Sequence, residues 1–214
     1  MWTEAPYSYK RMNATASVPE RLLRVAADLF AREGFDAVSV RRITGRAKAN
    51  LGAVTYHCGS KEALFHAVIE RVGTPFGDRF VALAAGRGTP LDRISRIVTM
   101  VLTERDLPAP TMILRELAND RPLPPPLLHL MQRNLGAIAG LIREGQRDGS
   151  IRKAEPLLLA MSVMAQPFLL RIASRIPLDV AGVDRADPKI QQRLVKHVVT
   201  TIRRSLATHP ERRS

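Results

Sequence analysis

Apolar residues recur at helical spacing along most of this 214-residue chain. The first such stretch follows Ser17, which can form a capping box with Glu20, and Pro19 suits the first turn of a helix. Gly34 is a natural stop after the last periodic residue. The pattern therefore predicts a first helix over 18–33.

Two short helical patterns separated by a tight turn come next. Ser39 is the expected N-cap of a helix over 40–46. A turn at 47–49 follows, and Asn50 is expected to cap another helix over 51–57. Two short helices around a tight turn are typical of a helix-turn-helix.

Helical patterns also account for the rest of the chain. A fourth helix is expected to begin after Ser60, and Gly73 and Pro75 are expected to end or kink it. No segment alternates apolar and polar residues for long enough to be a strand, so the predicted fold class is all-α. The later helices are predicted near residues 90–105, 110–119, 127–148, 155–175 and 187–206.

Charge narrows the range of partners. The formal net charge of +13 favours an anionic partner, either nucleic acid or a membrane surface, although a general abundance of arginine would also produce it. Between Asp36 and Glu62 the chain has five basic residues and no acidic residue. A compact helix pair with charge of one sign is suited to approach DNA phosphates.

Other kinds of site lack their sequence signals. The single cysteine, Cys58, excludes an intrachain disulfide and a cysteine-rich zinc site. There is no glycine-rich phosphate loop, no Cys/His metal spacing and no GxSxG motif, so we expect no catalytic residue, no metal ligand and no cofactor. The N-terminal residues contain no apolar run, and the longest uncharged run, 156–170, is shorter than the roughly 20 residues of a membrane span. We therefore expect a cytoplasmic protein without a membrane partner.

Residues 22–65 resemble the DNA-binding domain of the TetR family of transcriptional repressors, most specifically in the run NLGAVTYHCGSKEAL. Residues 1–16 show no helical periodicity and are expected to form a flexible arm. The resemblance implies an N-terminal three-helix helix-turn-helix domain at 17–62. A larger helical effector-binding and dimerisation domain is implied at 63–209. The matching residues are Ala27, Leu29, Phe30, Gly34, Phe35, Ser39, Val40, Ile43, Ala47, Asn50, Leu51, Gly52, Tyr56, His57, Ser60, Lys61, Glu62 and Leu64.

The resemblance and the residue chemistry together indicate a DNA-facing set. Small side chains at Gly52 and Ala53 would let the third helix sit deep in a major groove, and backbone N–H groups at helix N-termini can meet phosphates. Tyr56 could instead be half-buried, and His57 could simply stack on its helix. The expected DNA-facing residues are Ser39, Arg41, Arg42, Asn50, Leu51, Gly52, Ala53, Thr55, Tyr56, His57 and Lys61.

Cys58 departs from the family pattern, which usually has phenylalanine or another large apolar residue at this position. A smaller side chain predicts looser support of the third helix by the first. A redox-sensing thiol and a buried, inert thiol are both open, and the inert thiol is favoured.

The resemblance also implies an effector cavity and a dimer interface in the larger domain. Methionine and branched apolar residues suit an adaptable apolar cavity, although at helical spacing they are more often core. The expected cavity residues are Met100, Ile113, Leu114, Leu117, Met131, Leu135, Ile138 and Met164. The last two helices are implied to form a four-helix interface with a second copy. The expected interface residues are Met161, Ala165, Phe168, Leu169, Ile190, Leu194, Val198 and Ile202.

The predicted function is sequence-specific regulation of transcription. A homodimer would bind a pseudo-palindromic operator in double-stranded DNA as a repressor, with its two recognition helices roughly 34–36 Å apart. A small hydrophobic effector would release it. The alternatives are an activator or an effector-independent regulator, and then a non-specific basic protein that binds DNA or a membrane surface.

Overall fold

The computed structural model describes residues 17–104, 122–173, 180, 182–184 and 187–208. Within these residues the chain forms eight α-helices, and its β structure is limited to one isolated bridge between Ile151 and Ala207. The predicted all-α class is confirmed, whereas the predicted arm at 1–16 and the helix at 110–119 lie outside the described residues. The helices are α1 (Val18–Glu33), α2 (Val40–Ala47), α3 (Ala53–Cys58), α4 (Lys61–Ala84), α5 (Pro90–Thr103), α6 (Pro125–Arg147), α7 (Pro156–Ala173) and α8 (Pro188–Leu206).

Local capping signals explain the ends of the first and last helices. The Ser17 N–H donates to the Glu20 carboxylate at 2.9 Å, and α1 ends at Gly34, whose φ of 86° suits glycine. The Asp187 carboxylate accepts the Lys189 N–H at 2.8 Å at the start of α8. The predicted span of α1 is therefore confirmed.

Helix α4 does not end at Gly73 or Pro75, the positions where the sequence predicts an end or a kink. It continues through Pro75 to Ala84 as one 24-residue helix. Gly73 is buried, and a Cβ at this position would lie 2.7 Å from Cδ2 of Leu130 in α6. Gly73 thus permits a close helix contact rather than stopping the helix.

The chain divides into two compact units. The first unit contains, among the described residues, 17–76 and 122–130. Its core holds Leu22 and Phe30 of α1, Ile43 of α2 and Leu64 of α4, all with no exposed surface. The predicted domain boundary between residues 62 and 63 stays a prediction.

The second unit contains residues 77–104 and 131–208 among those described. Helix α5 contacts both α7 and α8, and its buried Ile97 and Val98 form part of the core with Ile142 of α6. Arg93 is also buried; it donates to the Ala84 carbonyl at 3.0 Å and pairs with Glu144. None of the helices in the described ranges is both long and apolar enough to cross a membrane.

Candidate nucleic-acid interface

Hydrogen bonds within the backbone fix the turn that follows α2. The Ser39 hydroxyl accepts the Arg42 N–H at 3.2 Å and so caps α2 as predicted. At the other end, Lys48 adopts left-handed angles, with φ 51° and ψ 48°. The Ala49 N–H donates to the Thr44 carbonyl at 2.9 Å, which closes a Schellman-type end. The chain is thereby redirected within two residues.

Asn50 is the predicted N-cap of α3, but in the structure it lies in the turn before that helix. Its side-chain oxygen accepts the Gly52 N–H at 3.0 Å, and its carbonyl accepts the Ala53 N–H at 2.9 Å. Asparagine side chains form such bonds to the backbone two residues ahead in turns as well as in helix caps. Gly52 is the N-cap, and α3 begins at Ala53 instead of residue 51.

One side of α3 and the turn before it present exposed side chains. Tyr56 is 85% exposed, and Leu51 is 57% exposed. Thr55 and His57 are exposed as well, and the His57 ring meets the Tyr56 ring edge to face at 4.8 Å between centroids. Two large side chains with this much exposed surface, one on α3 and one in the turn before it, are suited to contact another molecule.

Ala53 does not belong to this exposed side. Ala53 and Val54 are buried, and α3 contacts α1 and α2. A six-residue helix turns through all directions, so its first residues face the core while Thr55 and Tyr56 face outwards. The other predicted DNA-facing residues are exposed, apart from Lys61, which is half-buried.

The basic residues of α2 differ in what they contact. Arg41 is exposed, whereas Arg42 forms an ion pair with Glu33 at the end of α1. Arg46 is exposed and lies 3.9 Å from the Asp28 carboxylate. Exposed ion pairs are weak, so these guanidinium groups remain accessible to phosphates.

The N-terminal domain that contains Cys58 also holds a cluster of three aromatic rings. Rings of Phe30, Phe35 and Phe65 lie 5.0–5.9 Å apart between centroids, and the Lys61 ammonium lies 4.3 Å from the centroid of Phe35. Lys61 thus has a cation–π partner inside its own domain. Cys58 is half-buried, and its burial raises the pKa of the thiol, which lowers the thiolate fraction. The looser support predicted at Cys58 stays a prediction.

Two residues outside the predicted set also shape this surface. Glu33 pairs with Arg42, and Arg21 of α1 donates to the Ala47 carbonyl at 3.0 Å across the start of the turn. Sequence periodicity carries no signal for either contact, because the partners are 9 and 26 residues apart.

The predicted cavity residues are not all placed alike in the second unit. Met100 and Ile138 are buried, Leu135 and Met164 are half-buried, and Met131 is exposed. Met131 lies on the same side of α6 as Ile138. Helical spacing predicts the side of the helix on which a residue lies, but not whether another element covers it. Three further predicted residues, Ile113, Leu114 and Leu117, lie outside the described residues.

A groove of about 460 Å³ adjoins Met100. Arg79 and Leu83 of α4 and Arg96 of α5 contribute to its walls. The groove therefore combines apolar surface with two guanidinium groups.

The predicted interface residues fall into three groups. Met161, Ala165 and Leu169 of α7 are exposed. In contrast, Val198 and Ile202 of α8 are buried within the second unit, because that side of α8 packs on α5 and α7. The half-buried members are Phe168, Ile190 and Leu194.

Sequence comparison matches residues 22–68 to the bacterial regulatory proteins of the tetR family. The chain is similar to the HTH-type transcriptional repressor Rv3405c of Mycobacterium tuberculosis, with 39% identity over 74 residues. It is also similar to the HTH-type transcriptional repressor NicS of Pseudomonas putida, with 28% identity over 82 residues. These matches cover 34% and 38% of this chain, and 39% of each relative. The chain therefore matches about two-fifths of the length of these curated relatives.

The similarity of fold extends further than the similarity of sequence. The ketosteroid transcriptional regulator KstR2 of Mycobacterium tuberculosis superposes with a TM-score of 0.65 at 17% identity, over 90% of this chain and 96% of that one. This fold is an N-terminal DNA-binding domain followed by a larger helical domain. The proteins matched by sequence are named as transcriptional regulators, not as enzymes. Over residues 22–68, the chain is therefore similar to the bacterial regulatory proteins of the tetR family.

Proposed function

We propose that this protein is a cytoplasmic transcriptional repressor that binds a pseudo-palindromic operator as a homodimer and leaves it when a small, largely apolar effector binds. The observation that carries the proposal is the exposed side of α3. Leu51 and Tyr56 expose large side chains near Thr55, and Gly52 adds no side chain at the N-terminus of α3. Such a side can make apolar and hydroxyl contacts with base edges in a major groove.

Exposed surface on α7 supports the homodimer. Leu158, Met161 and Leu169 are each more than half exposed, and they lie on one side of the helix with Ala165. An apolar stripe of this length is costly in water and is suited to cover the same stripe of a second copy. Two copies would then present two α3 helices to successive major grooves.

Support for a small effector comes from the second unit and from the relatives. The 460 Å³ groove beside Met100 falls within the usual size of ligand sites, and Leu83 and Met100 give it an apolar wall that suits a largely apolar ligand. KstR2 is named for ketosteroids, which are largely apolar. Rv3405c and NicS are both named as repressors.

Selection from a random duplex library, followed by mobility-shift titration, tests the proposal. We expect a palindromic site whose affinity exceeds that of random DNA by about 10³-fold or more at moderate salt. Tyr56→Ala should weaken operator binding by about 1–2 kcal/mol, whereas Val81→Ala, which truncates an exposed apolar residue of α4, should not. Equal affinity for selected and random DNA would contradict sequence-specific repression.

A further inference from the structure

Arg21 joins the first helix of the N-terminal domain to the turn that precedes α3. Its Nε donates to the carbonyl of Ala47, the last residue of α2, at 3.0 Å. Its Nη2 lies 3.5 Å from the carbonyl of Lys48, the next residue. One planar guanidinium therefore spans two successive carbonyls at the end of α2.

The position of these carbonyls explains why a cation is favourable there. The C-terminus of a helix carries partial negative charge and leaves its last carbonyls without helical partners. Bonds from the Lys48 and Ala49 N–H groups satisfy the carbonyls of Gly45 and Thr44. The carbonyls of Ala47 and Lys48 come later in the chain, and Arg21 bonds to both.

The turn held by Arg21 leads into α3 within a few residues. Lys48 is the one described non-glycine residue with positive φ, a conformation that is unfavourable for a side chain of this kind. From Lys48 the chain needs only Ala49 and Asn50 to reach the Asn50–Gly52 bond in the turn before α3. A small change in the angles at Lys48 would therefore change the direction of the whole six-residue helix.

We propose that Arg21 is a positioning residue for operator recognition: it fixes the direction of α3 through the Ala47–Lys48 carbonyls and contacts no base itself. The inference rests on the proposed function for its effect on DNA. It differs from a phosphate-contact role, because a phosphate contact would affect all DNA sequences equally.

The first test compares Arg21→Gln, Arg21→Lys and the control Arg24→Gln, which removes the same charge from the same helix. The measurement is the ratio of the dissociation constants for random DNA and for the selected operator, in variants shown to be folded by circular dichroism. Arg21→Gln should lower this ratio about tenfold, and Arg24→Gln by less than about twofold. Arg21→Lys should lower the ratio less than Arg21→Gln does, because lysine keeps the positive charge but lacks the planar set of N–H donors that bonds to two carbonyls. Equal ratios in Arg21→Gln and Arg24→Gln would overturn the proposal.

A second measurement separates this proposal from the proposed function. Hydrogen exchange of the amides at 49–59 in free protein requires no operator. Arg21→Gln should speed exchange in that segment relative to Arg24→Gln, while exchange in α5 stays unchanged. If exchange at 49–59 is the same in both variants, Arg21 does not hold the turn, whether or not an operator exists. If Arg21→Gln does not fold, Arg21→Lys carries the same comparison.

Discussion

The carboxylate of Glu33, the last residue of α1, forms an ion pair with the guanidinium of Arg42 in α2. Arg42 is also a predicted contact to DNA phosphate, so we expect Glu33 to compete with DNA for its positive charge. Both side chains are partly exposed, and pairs of this kind contribute at most about 1 kcal/mol to stability. We therefore expect phosphate to displace Glu33 at little cost, and the pair to lower affinity for DNA of any sequence.

Glu33→Gln should raise the affinity for duplex DNA about threefold at moderate salt, because it frees Arg42 and removes a negative charge near the phosphates. The slope of log affinity against log salt should steepen by about one unit. Glu70→Gln, at an exposed position in α4, makes the same charge change without releasing Arg42. Equal gains in the two variants would show that overall charge, not Arg42, is responsible.

Local signals explain how much of this domain the sequence could predict. The span of α1 follows from Ser17, Glu20 and Gly34, which act within one turn of the helix ends. Asn50 gave an N-cap prediction two residues too early, because the same side chain can form a turn or a cap. The bond between Arg21 and Ala47 could not be predicted, since it depends on how α1 packs against α2.

Helix α7 shows the same limit of sequence-based prediction in the larger domain. A helix apolar on nearly every side indicates burial on every side. Within this chain, however, α7 buries Leu159 and Val163 and leaves Leu158 and Leu169 each 63% exposed. The sequence thus identifies the apolar surface, and only packing shows which side the chain itself covers.

Two glycines of α6 should respond in opposite ways to alanine. A Cβ at Gly140 would meet no atom within 4 Å, whereas one at Gly145 would lie 2.5 Å from both Cγ1 and Cδ1 of buried Ile151. Gly140→Ala should raise the free energy of unfolding by about 0.5–1 kcal/mol, because alanine favours helix. Gly145→Ala should lower it by about 1–3 kcal/mol, because Ile151 must move. Urea denaturation at unchanged m-value tests the pair, and stabilisation by both variants would contradict the packing at Gly145.

Acid should weaken the link between Asp92 and Arg203. The side-chain hydrogen bond from Arg203, at 2.8 Å, and then that from Thr89 lower the pKa of Asp92 to about 2. The pKa of Asp92 in the folded protein lies below its usual value of 3.8. The ionised Asp92 therefore stabilises the folded state fully above about pH 4, and this contribution is lost as the pH falls through 2. The difference in unfolding free energy between wild type and Asp92→Asn should therefore be constant from pH 6 to 4 and shrink towards pH 2. Arg203→Gln should show the same profile, and a difference that persists at pH 2 would contradict the assignment.

The α7 stripe should determine the oligomeric state. In a dimer joined by this stripe, Leu158→Glu or Met161→Glu would bury a carboxylate without a partner, at a cost of roughly 2–4 kcal/mol for each copy. Such a cost weakens dimerisation by 100-fold or more, so each variant should sediment as a monomer at about micromolar concentration. Both positions are exposed in the single chain, so the melting of an isolated copy should hardly change. Val81→Glu places the same charge on an exposed apolar position of α4 and should leave the dimer intact. If Leu158→Glu and Met161→Glu both remain dimers, the copies meet through another surface.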